Sequence, residues 1–230
     1  MKVQKNKIYP TIIFLLTLAI GYLGFIQIKL KSINPAETYK VIKVLDGDSF
    51  ITEEQHQNIR LFGVLAPELQ YYYGEESKEF LKSKILNKEV YFKHIVADKY
   101  GRIMALVYLD DLLINEVMVR QGFADYDGHF LKSSPDLLKN AEKLAKEEQL
   151  GIFGPNSTQT KNLDNPQCTI KGNIRRGIKT YLFPGCRSYT LTIIEKHKGD
   201  QWFCSEKEAK KAGFIKPLAC FGKSFKLDEN

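Results

Sequence analysis

The sequence has no cysteine before Cys168, and its cysteines form no close C-x₂₋₄-C pair. All four of them (Cys168, Cys186, Cys204 and Cys220) lie in the last third of the 230-residue chain. The lack of close pairs disfavours a structural zinc site, which usually draws its ligands from such pairs. An even number of cysteines in one small segment, behind an apolar N-terminal stretch, favours two disulfides in an oxidising compartment. The spacing leaves three pairings open, and zinc binding is the alternative.

Charge is absent from Ile8 to Ile28. A helix of this length would extend over about 31 Å, which matches the hydrocarbon core of a bilayer. Residues 1–31 are therefore predicted to be an N-terminal transmembrane helix that anchors the protein in a membrane. Secretion after signal cleavage is the alternative, although no A-x-A-like site follows Ile28. Because lysines flank the segment at both ends, the distribution of positive charge does not orient the helix in the membrane. The cysteines favour placing the rest of the chain on the extracytoplasmic face.

Basic residues are not in excess in the middle of the chain. Of the formal net charge of +7, residues 36–156 carry −5 and residues 157–230 carry +7. No internal repeat is present, and the polar stretch TQTKNLDNPQ separates two regions of different composition. We predict a main domain over residues 38–156, a linker over 157–166 and a small cysteine-containing domain over 167–222.

The main domain alternates strand-like and helix-like patterns. Strands are predicted in YKVIKVLDGDSFI, NIRLFGVL, EVYFKHIV and RIMALVYL. Helices are predicted in GEESKEFLKSKIL, with Phe80, Leu81 and Ile85 facing inward, in INEVMVRQGF, and after Ser134 and Pro135. One inserted and two trailing helices around such strands indicate an α+β fold, a five-stranded β-barrel of the OB type with about three helices.

Two motifs of this domain contain residues that can bind a cation, bind phosphate and activate water. Asp46 and Asp48 flank the glycine of DGD, where two carboxylates can bind a hard cation through oxygen. Arg60 and Glu68 bracket RLFGVLAPE. An arginine fork grips phosphate oxygens, and a glutamate can act as a general base on water. Alone, the first motif is typical of a turn and the second of a salt bridge.

The third motif, DKYGR, adds a second arginine. Gly101 permits a tight turn, Tyr100 offers a flat face on which a base can stack, and Arg102 returns on the next strand. Alone, this motif is typical of a hairpin. Two arginines, one glutamate and a cation-binding carboxylate are together what phosphodiester hydrolysis requires.

These motifs resemble those of the thermonuclease family, the staphylococcal-nuclease type. Its pattern runs DGD[TS], R-L-x-x-[IV]-D-[AT]-P-E, D-[KR]-Y-G-R and V-x-x-G-x-A. Here the motifs are DGDSF, RLFGVLAPE, DKYGR and INEVMVRQGFA, in the same order. The resemblance implies an OB-type nuclease that cleaves single-stranded DNA or RNA endonucleolytically and leaves 3′-phosphates.

The resemblance also implies roles for single residues. Arg60 and Arg102 match the arginines that bind phosphate and stabilise the transition state. Glu68 matches the glutamate that activates the attacking water. Tyr100 matches a residue that lines the nucleotide pocket, and its neighbour Lys99 is assigned with it to substrate binding.

Calcium is the cofactor that the resemblance implies. Asp48 matches a direct ligand, with Asp46 in the outer shell. The departure is Leu65, which stands where the family usually has a second ligating aspartate. Leucine offers no donor atom, and a hard-cation site weakens as carboxylates are lost. A weakened calcium site is therefore expected.

The C-terminal segment resembles a small module called a sunset domain, through IKGNI, PGCRSY, WFCSE and EAKKAGF. This resemblance implies little about function. Because a domain of net charge −5 repels a polyanion, a basic partner could offset the repulsion. We hypothesise that Arg175, Arg176 and Lys179 hold nucleic acid near the cleft, with a solvated basic surface as the alternative.

The sequence thus predicts a membrane-anchored, calcium-assisted endonuclease of single-stranded nucleic acid on the outer face of a bacterial membrane. One alternative is a catalytically weakened OB module that only binds nucleic acid. The other is an envelope module that binds a protein partner, although no obligate protein partner is predicted.

Overall fold

The computed structural model of the chain describes residues 12–22, 37–54, 58–98, 100–128 and 136–220. Residues 12–22 form helix α1. Within these ranges, no helix combines the length and the apolar character that crossing a bilayer requires. The rest of the predicted span Ile8–Ile28 lies outside the described residues, and so do Lys99, Ser134 and Pro135.

The α+β class is confirmed. The strands that precede residue 130 are β1 (Thr38–Val44), β2 (Ser49–Thr52), β3 (Asn58–Leu61), β4 (Val64–Leu65), β5 (Glu89–Ala97), β6 (Ile103–Leu109), β7 (Leu112–Leu113) and β8 (Asp125–Tyr126). The α-helices that follow α1 in the main domain are α2 (Gly74–Ile85), α3 (Ile114–Arg120) and α4 (Asp136–Glu147).

Five of these strands are connected in a closed circuit of pairings. β1 pairs antiparallel with β2 and β5, β2 pairs with β3, and β5 pairs with β6. β3 then pairs in parallel with β6, which closes the circuit. Because successive strand residues point to opposite faces, each strand contributes inward side chains; Val41, Phe50, Ile59, Phe92 and Val107 are fully buried. The circuit therefore encloses an apolar core.

Helix α2 packs on this core as its pattern predicts. Leu81 and Ile85 are fully buried, and the ring of Phe80 stacks on that of Phe123 with centroids 3.8 Å apart. The α2 face predicted to point inward is therefore confirmed.

Only part of the apolar stripe that the sequence predicts on helix α4 is buried; the stripe consists of Leu137, Leu138, Ala141, Leu144 and Ala145. Leu138, Ala141 and Ala145 are buried, but Leu137 and Leu144 remain 47% and 43% exposed. Only the side of the helix that carries Leu138 and the two alanines is therefore buried.

The C-terminal part contains two disulfides, Cys168–Cys204 and Cys186–Cys220. They surround a second apolar core that includes Tyr181, Phe183 and Phe214. Its elements are β9 (Thr158–Gln159), β10 (Ile170–Arg175), β11 (Ile178–Leu182), β12 (Ile194–Glu195), β13 (Gln201–Phe203) and α5 (Glu206–Lys211). A three-stranded sheet in the order β11-β10-β13 forms its centre.

The segment expected to be a linker is held against this C-terminal part. Strand β9 pairs with β12, Trp202 Nε1 donates to Gln159 Oε1 at 2.8 Å, and Asn162 Nδ2 donates to the Cys168 carbonyl at 3.1 Å. Gln159 and Asn162 are both buried. The polar side chains that suggested a linker are thus hydrogen-bond partners of the C-terminal part.

Candidate active site

The DGD turn lies between β1 and β2 and is fixed by contacts on both sides. Asp46 Oδ1 accepts the N–H of Asp48 at 3.0 Å. A Cβ at Gly47 would come within 2.0 Å of Ser77 Oγ and 2.7 Å of the Cβ of Ala66. Only glycine fits there, because the turn packs directly against helix α2 and the chain that leads to Glu68.

Asp48 is the centre of this arrangement. Its Oδ1 lies 2.6 Å from Arg60 Nη1 and accepts from Ser49 Oγ at 2.8 Å. Its Oδ2 accepts the N–H of Ala66 at 3.0 Å. Burial raises the pKa of the Asp48 carboxyl to about 7, although Arg60 and the Ala66 N–H act in the opposite direction. One carboxylate therefore links Arg60 to the segment that carries Glu68.

The chain between Arg60 and Glu68 is anchored from beneath by a buried side chain of α3. Asn115 Oδ1 accepts the N–H of Val107 at 2.8 Å, and its Nδ2 donates to the carbonyls of Phe62 and Ala105 at 2.9 and 3.1 Å. Since a buried amide that satisfies three backbone groups is costly to displace, Asn115 fixes the turn after β3 onto β6.

Glu68 lies at the end of this segment with an exposed side chain. Among the described residues, none donates a hydrogen bond to its carboxylate. The Tyr71 N–H closes a turn onto the Glu68 carbonyl at 2.8 Å, which sets where the side chain leaves the backbone. The carboxylate is therefore open to water and to a ligand, as a general base must be.

Arg102 directly precedes β6, which pairs in parallel with β3. Arg60 lies opposite Met104 in this pairing, two residues after Arg102 in the chain. Arg102 is 43% exposed and its Nε binds Asp98 Oδ2 at 2.7 Å. The Tyr100 ring lies 5.6 Å from the guanidinium carbon. Arg60 is thus connected to the segment that carries Glu68 through Asp48, and Arg102 precedes the strand that pairs with β3.

Asp98 organises the DKYGR loop, a role that the sequence reasoning missed. Its Oδ1 accepts the N–H groups of Tyr100 and Arg102 at 2.8 and 2.9 Å. Burial alone would raise the pKa of Asp98, but the hydrogen bonds from Arg102 and Tyr100 hold it below the usual value. Asp98 therefore stays ionised and orients Arg102 through its Nε and its backbone N–H.

The residues around Asp48 do not fit a calcium ion. Both Asp48 oxygens already accept hydrogen bonds or bind Arg60, and Leu65 supplies no oxygen donor. Nowhere in the described part of the chain do three His, Cys, Asp or Glu side chains gather as metal ligands. Because calcium requires six to eight oxygen ligands, the ligand set assigned to Asp48 and Asp46 is incomplete here.

Residues of the C-terminal part reach this region. Strand β4 pairs with β8, so that Leu65 lies opposite Asp125. Asp125 Oδ2 lies 3.3 Å from His197 Nε2, and its Oδ1 lies 3.4 Å from Lys198 Nζ. His197 Nδ1 lies 2.9 Å from the buried hydroxyl of Ser157. A serine, a histidine and an aspartate thus join the two halves of the chain, and with Ser157 fully buried this is a structural junction.

A cavity of about 250 Å³ opens at this junction. It is lined on one side by Leu65, Ala66, Pro67, Glu68 and Tyr71, and on the other by Asp125, His197 and Lys198. No local pattern in the sequence marks these three residues, because Asp125 approaches through the pairing of β8 with β4 and His197 and Lys198 through the packing of the two cores.

One of the three basic residues proposed to hold nucleic acid is less available than the sequence indicates. Arg175 Nη2 lies 2.8 Å from Glu195 Oε2 and its Nη1 lies 3.4 Å from Asp200 Oδ2. Arg176 and Lys179 are exposed. Arg175 is therefore already neutralised by two acids of its own module.

Comparisons with known proteins agree with the motifs. The family model described as "Staphylococcal nuclease homologue" matches residues 58–154. The thermonuclease of Staphylococcus intermedius is 32% identical over 130 residues, which cover 51% of this chain and 76% of that protein. The thermonuclease of Staphylococcus hyicus is 36% identical over 98 residues, covering 38% of this chain and 58% of that protein.

An uncharacterized endonuclease of Escherichia coli is 38% identical over 88 residues, which cover 37% of this chain and 58% of that protein. The chain thus spans 58% of the length of two of these relatives. The matched family segment ends at residue 154, before Ser157, His197 and Lys198.

Proposed function

Because this chain belongs to the family of staphylococcal nuclease homologues, we propose that it is an endonuclease that hydrolyses phosphodiester bonds of single-stranded DNA or RNA. One observation carries the proposal. Asp48 binds Arg60 at 2.6 Å and the N–H of Ala66 at 3.0 Å, two residues before the open carboxylate of Glu68. A phosphate-binding cation and a general base are thereby held in a fixed relation.

The reaction that this arrangement supports needs three groups of the chain. Glu68 takes a proton from a water molecule that adds to phosphorus. Arg60 and Arg102 bind the non-bridging oxygens and offset the charge that develops on them. The bond from phosphorus to the 5′ oxygen breaks, the leaving oxygen takes a proton from solvent, and a 3′-phosphate remains. Tyr100, beside Arg102, offers a ring on which a base stacks.

Calcium is not used in this proposal, since the oxygen ligands around Asp48 do not fit it. The closed circuit of β1, β2, β3, β6 and β5 is interpreted as the OB-type barrel on which such sites are built. A membrane anchor over residues 1–31, with the enzyme on the extracytoplasmic face, is part of the proposal. The two disulfides support an oxidising compartment.

The test is cleavage of end-labelled, single-stranded oligonucleotides of DNA and of RNA by the full-length chain with its disulfides intact. We expect internal cleavage of at least one of the two, with products that carry a 3′-phosphate and can be extended only after phosphatase treatment. Products with a 3′-hydroxyl would contradict the proposed bond cleavage. Absence of products under all metal and pH conditions would contradict the activity itself.

A second candidate function is binding of single-stranded nucleic acid without hydrolysis, and Leu65 favours it. The position lacks the carboxylate that the resemblance expects, and Leu65 is instead 42% exposed at the junction with the C-terminal part. This candidate predicts that the chain retards oligonucleotides at low salt and leaves them intact.

A further inference from the structure

The cavity beside Glu68 is built by two parts of the chain, only one of which belongs to the matched family segment. Asp125 lies within that segment, whereas His197 and Lys198, which also line the cavity, lie outside it. Of these, Lys198 is the one with an appreciably accessible side chain, at 35% exposed, whereas the side chains of Asp125 and His197 are 11% and 1% exposed. Lys198 is therefore the group through which the C-terminal module meets a ligand in the cavity.

Lys198 is held in place from two sides. Its ammonium lies 2.7 Å from Glu195 Oε1 and 3.4 Å from Asp125 Oδ1. Burial alone would lower the pKa of Lys198, but these carboxylates raise it above the usual value. An ammonium has three hydrogens, so two contacts leave one hydrogen for another acceptor. A side chain that is charged and fixed in this way is prepared to bind an anion.

Both carboxylates that hold Lys198 have other cationic or polar neighbours. Glu195 also binds Arg175 at 2.8 Å, and Asp125 also faces His197 at 3.3 Å. Each acid is therefore shared between Lys198 and a second partner, and Arg175 in turn lies 3.4 Å from Asp200. Because residues 36–156 carry a net charge of −5, the main domain repels a polyanion, and the Lys198 ammonium is a cation that the C-terminal module adds to this cleft.

We propose that Lys198 binds a backbone phosphate of the nucleic acid strand whose scissile phosphate lies beside Glu68, so that the C-terminal module forms one wall of the substrate cleft. This inference rests on the proposed function for the identity of the ligand. It assigns to the module a direct contact with substrate, in place of the remote tether proposed for Arg175, Arg176 and Lys179.

A neighbouring crevice supplies the surface that a longer strand requires. Tyr71 lines both the cavity beside Glu68 and a crevice of about 450 Å³ between the two parts of the chain. That crevice is also lined by Tyr72, Trp202 and Lys196. Asp164 and Asp200 line it as well, and Lys196 is paired with Asp164 at 2.5 Å, so the crevice offers its aromatic faces for stacking of bases. A strand that passes Lys198 thus continues over Tyr71 onto rings on which bases can stack.

The test measures binding rather than cleavage. In a Glu68→Gln background, affinity for a short single-stranded oligonucleotide is compared for the parent, Lys198→Gln and Lys207→Gln. Lys207 is an exposed lysine of the same module on α5, so its loss changes net charge equally. We expect about a tenfold weaker affinity for Lys198→Gln and a salt dependence shallower by about one phosphate contact. Equal affinities for the two variants would overturn the proposal.

A structural role of Lys198 is separated from a phosphate contact by altering the ligand. A series of oligonucleotides carries one uncharged methylphosphonate at successive positions. If Lys198 binds one phosphate, a methylphosphonate at one particular position weakens binding to the parent protein. The same methylphosphonate does not weaken binding to Lys198→Gln any further. Lys198→Arg is expected to retain that dependence. If every methylphosphonate position reduced the affinity of both proteins equally, the proposed contact would be contradicted.

Failure of this inference and failure of the proposed function give different results. A protein that cleaves nucleic acid but shows no position-specific coupling with Lys198 refutes the inference alone. A protein that shows the coupling but cleaves nothing refutes the nuclease proposal and supports the Lys198 contact.

Discussion

Asp48 and Arg60 form an ion pair at 2.6 Å in which the side chains are only 3% and 18% exposed. The pair connects the DGD turn to β3, and the second Asp48 oxygen holds the Ala66 N–H. In this position Asp48 fixes an arginine and a backbone amide, which is a different task from the metal ligation that its motif indicates.

Asp48→Asn is predicted to destabilise the main domain. The substitution keeps the shape but replaces one acceptor oxygen by an NH₂ donor, so either the Arg60 side of the contact or the buried Ala66 N–H loses its acceptor, which costs about 1–3 kcal/mol. Urea unfolding at neutral pH measures the change in the free energy of unfolding. The matched control is Glu53→Gln, which breaks an exposed contact to Lys40 at 3.7 Å and should change stability by no more than about 1 kcal/mol. Equal effects of the two variants would contradict the role of Asp48.

Leu65→Asp is predicted to improve calcium binding. The new carboxylate lies next to Ala66, whose N–H binds Asp48, and so provides the oxygen donor that Leu65 lacks. We expect calcium affinity, measured by isothermal titration, to rise at least about tenfold. Leu65→Asn, which offers a neutral oxygen, should give a smaller gain. If the unaltered chain already binds calcium as tightly as Leu65→Asp, the conclusion that its ligands do not fit is wrong.

The contacts among Asp125, His197 and Lys198 are predicted to stabilise the folded state less in acid than at neutral pH. Burial raises the pKa of Asp125, but the His197 ring and the Lys198 ammonium outweigh it and hold the pKa below the ordinary value of 3.8. A depressed carboxyl pKa stabilises the folded state above that value, and the contribution disappears as pH falls through the lower folded-state pKa.

Asp125→Asn tests this in a pH series. At pH 7 we expect the variant to be less stable than the parent by about 1–3 kcal/mol, because a buried charged hydrogen-bond partner is lost. The difference should narrow as pH falls below about 4. Glu89→Gln, at an exposed position of β5, should show no such narrowing. A stability difference for Asp125→Asn that stays constant from pH 7 to pH 3 would contradict the assignment.

Those parts of the fold that depend on local pattern could be predicted from the sequence. The alternation of apolar residues predicts the strands around Phe50 and Phe92, and the period of α2 predicts that Leu81 and Ile85 are buried. Leu137 and Leu144 show the limit of such reasoning. Both belong to an apolar stripe of α4, yet only the side of that helix with Leu138 and the two alanines is buried.

The candidate site also contains residues that sequence motifs predict and residues that only the packing of the chain places there. Arg60, Glu68 and Arg102 stand in motifs whose order carries information, and the pairing of β3 with β6 connects the first motif to the strand that follows Arg102. Lys198 lies 130 residues beyond Glu68 in the chain, and its neighbours form no motif with it. Only the packing of two separate cores places it in the cavity. The polar composition of the segment after Ser157 predicts a linker. The partners of this segment, such as Trp202 and strand β12, lie far away in the sequence, so the sequence alone does not identify them.

The most direct measurement for the whole account is the single-turnover rate of oligonucleotide cleavage by Glu68→Gln beside Glu75→Gln. Both residues are exposed, so neither substitution should disturb the fold, and both remove one negative charge. Loss of the general base is expected to slow cleavage by about 10²–10⁴-fold in Glu68→Gln, with oligonucleotide affinity retained, while Glu75→Gln cleaves at the parent rate. Equal cleavage rates for the two variants would contradict the assignment of Glu68 and, with it, the proposed active site.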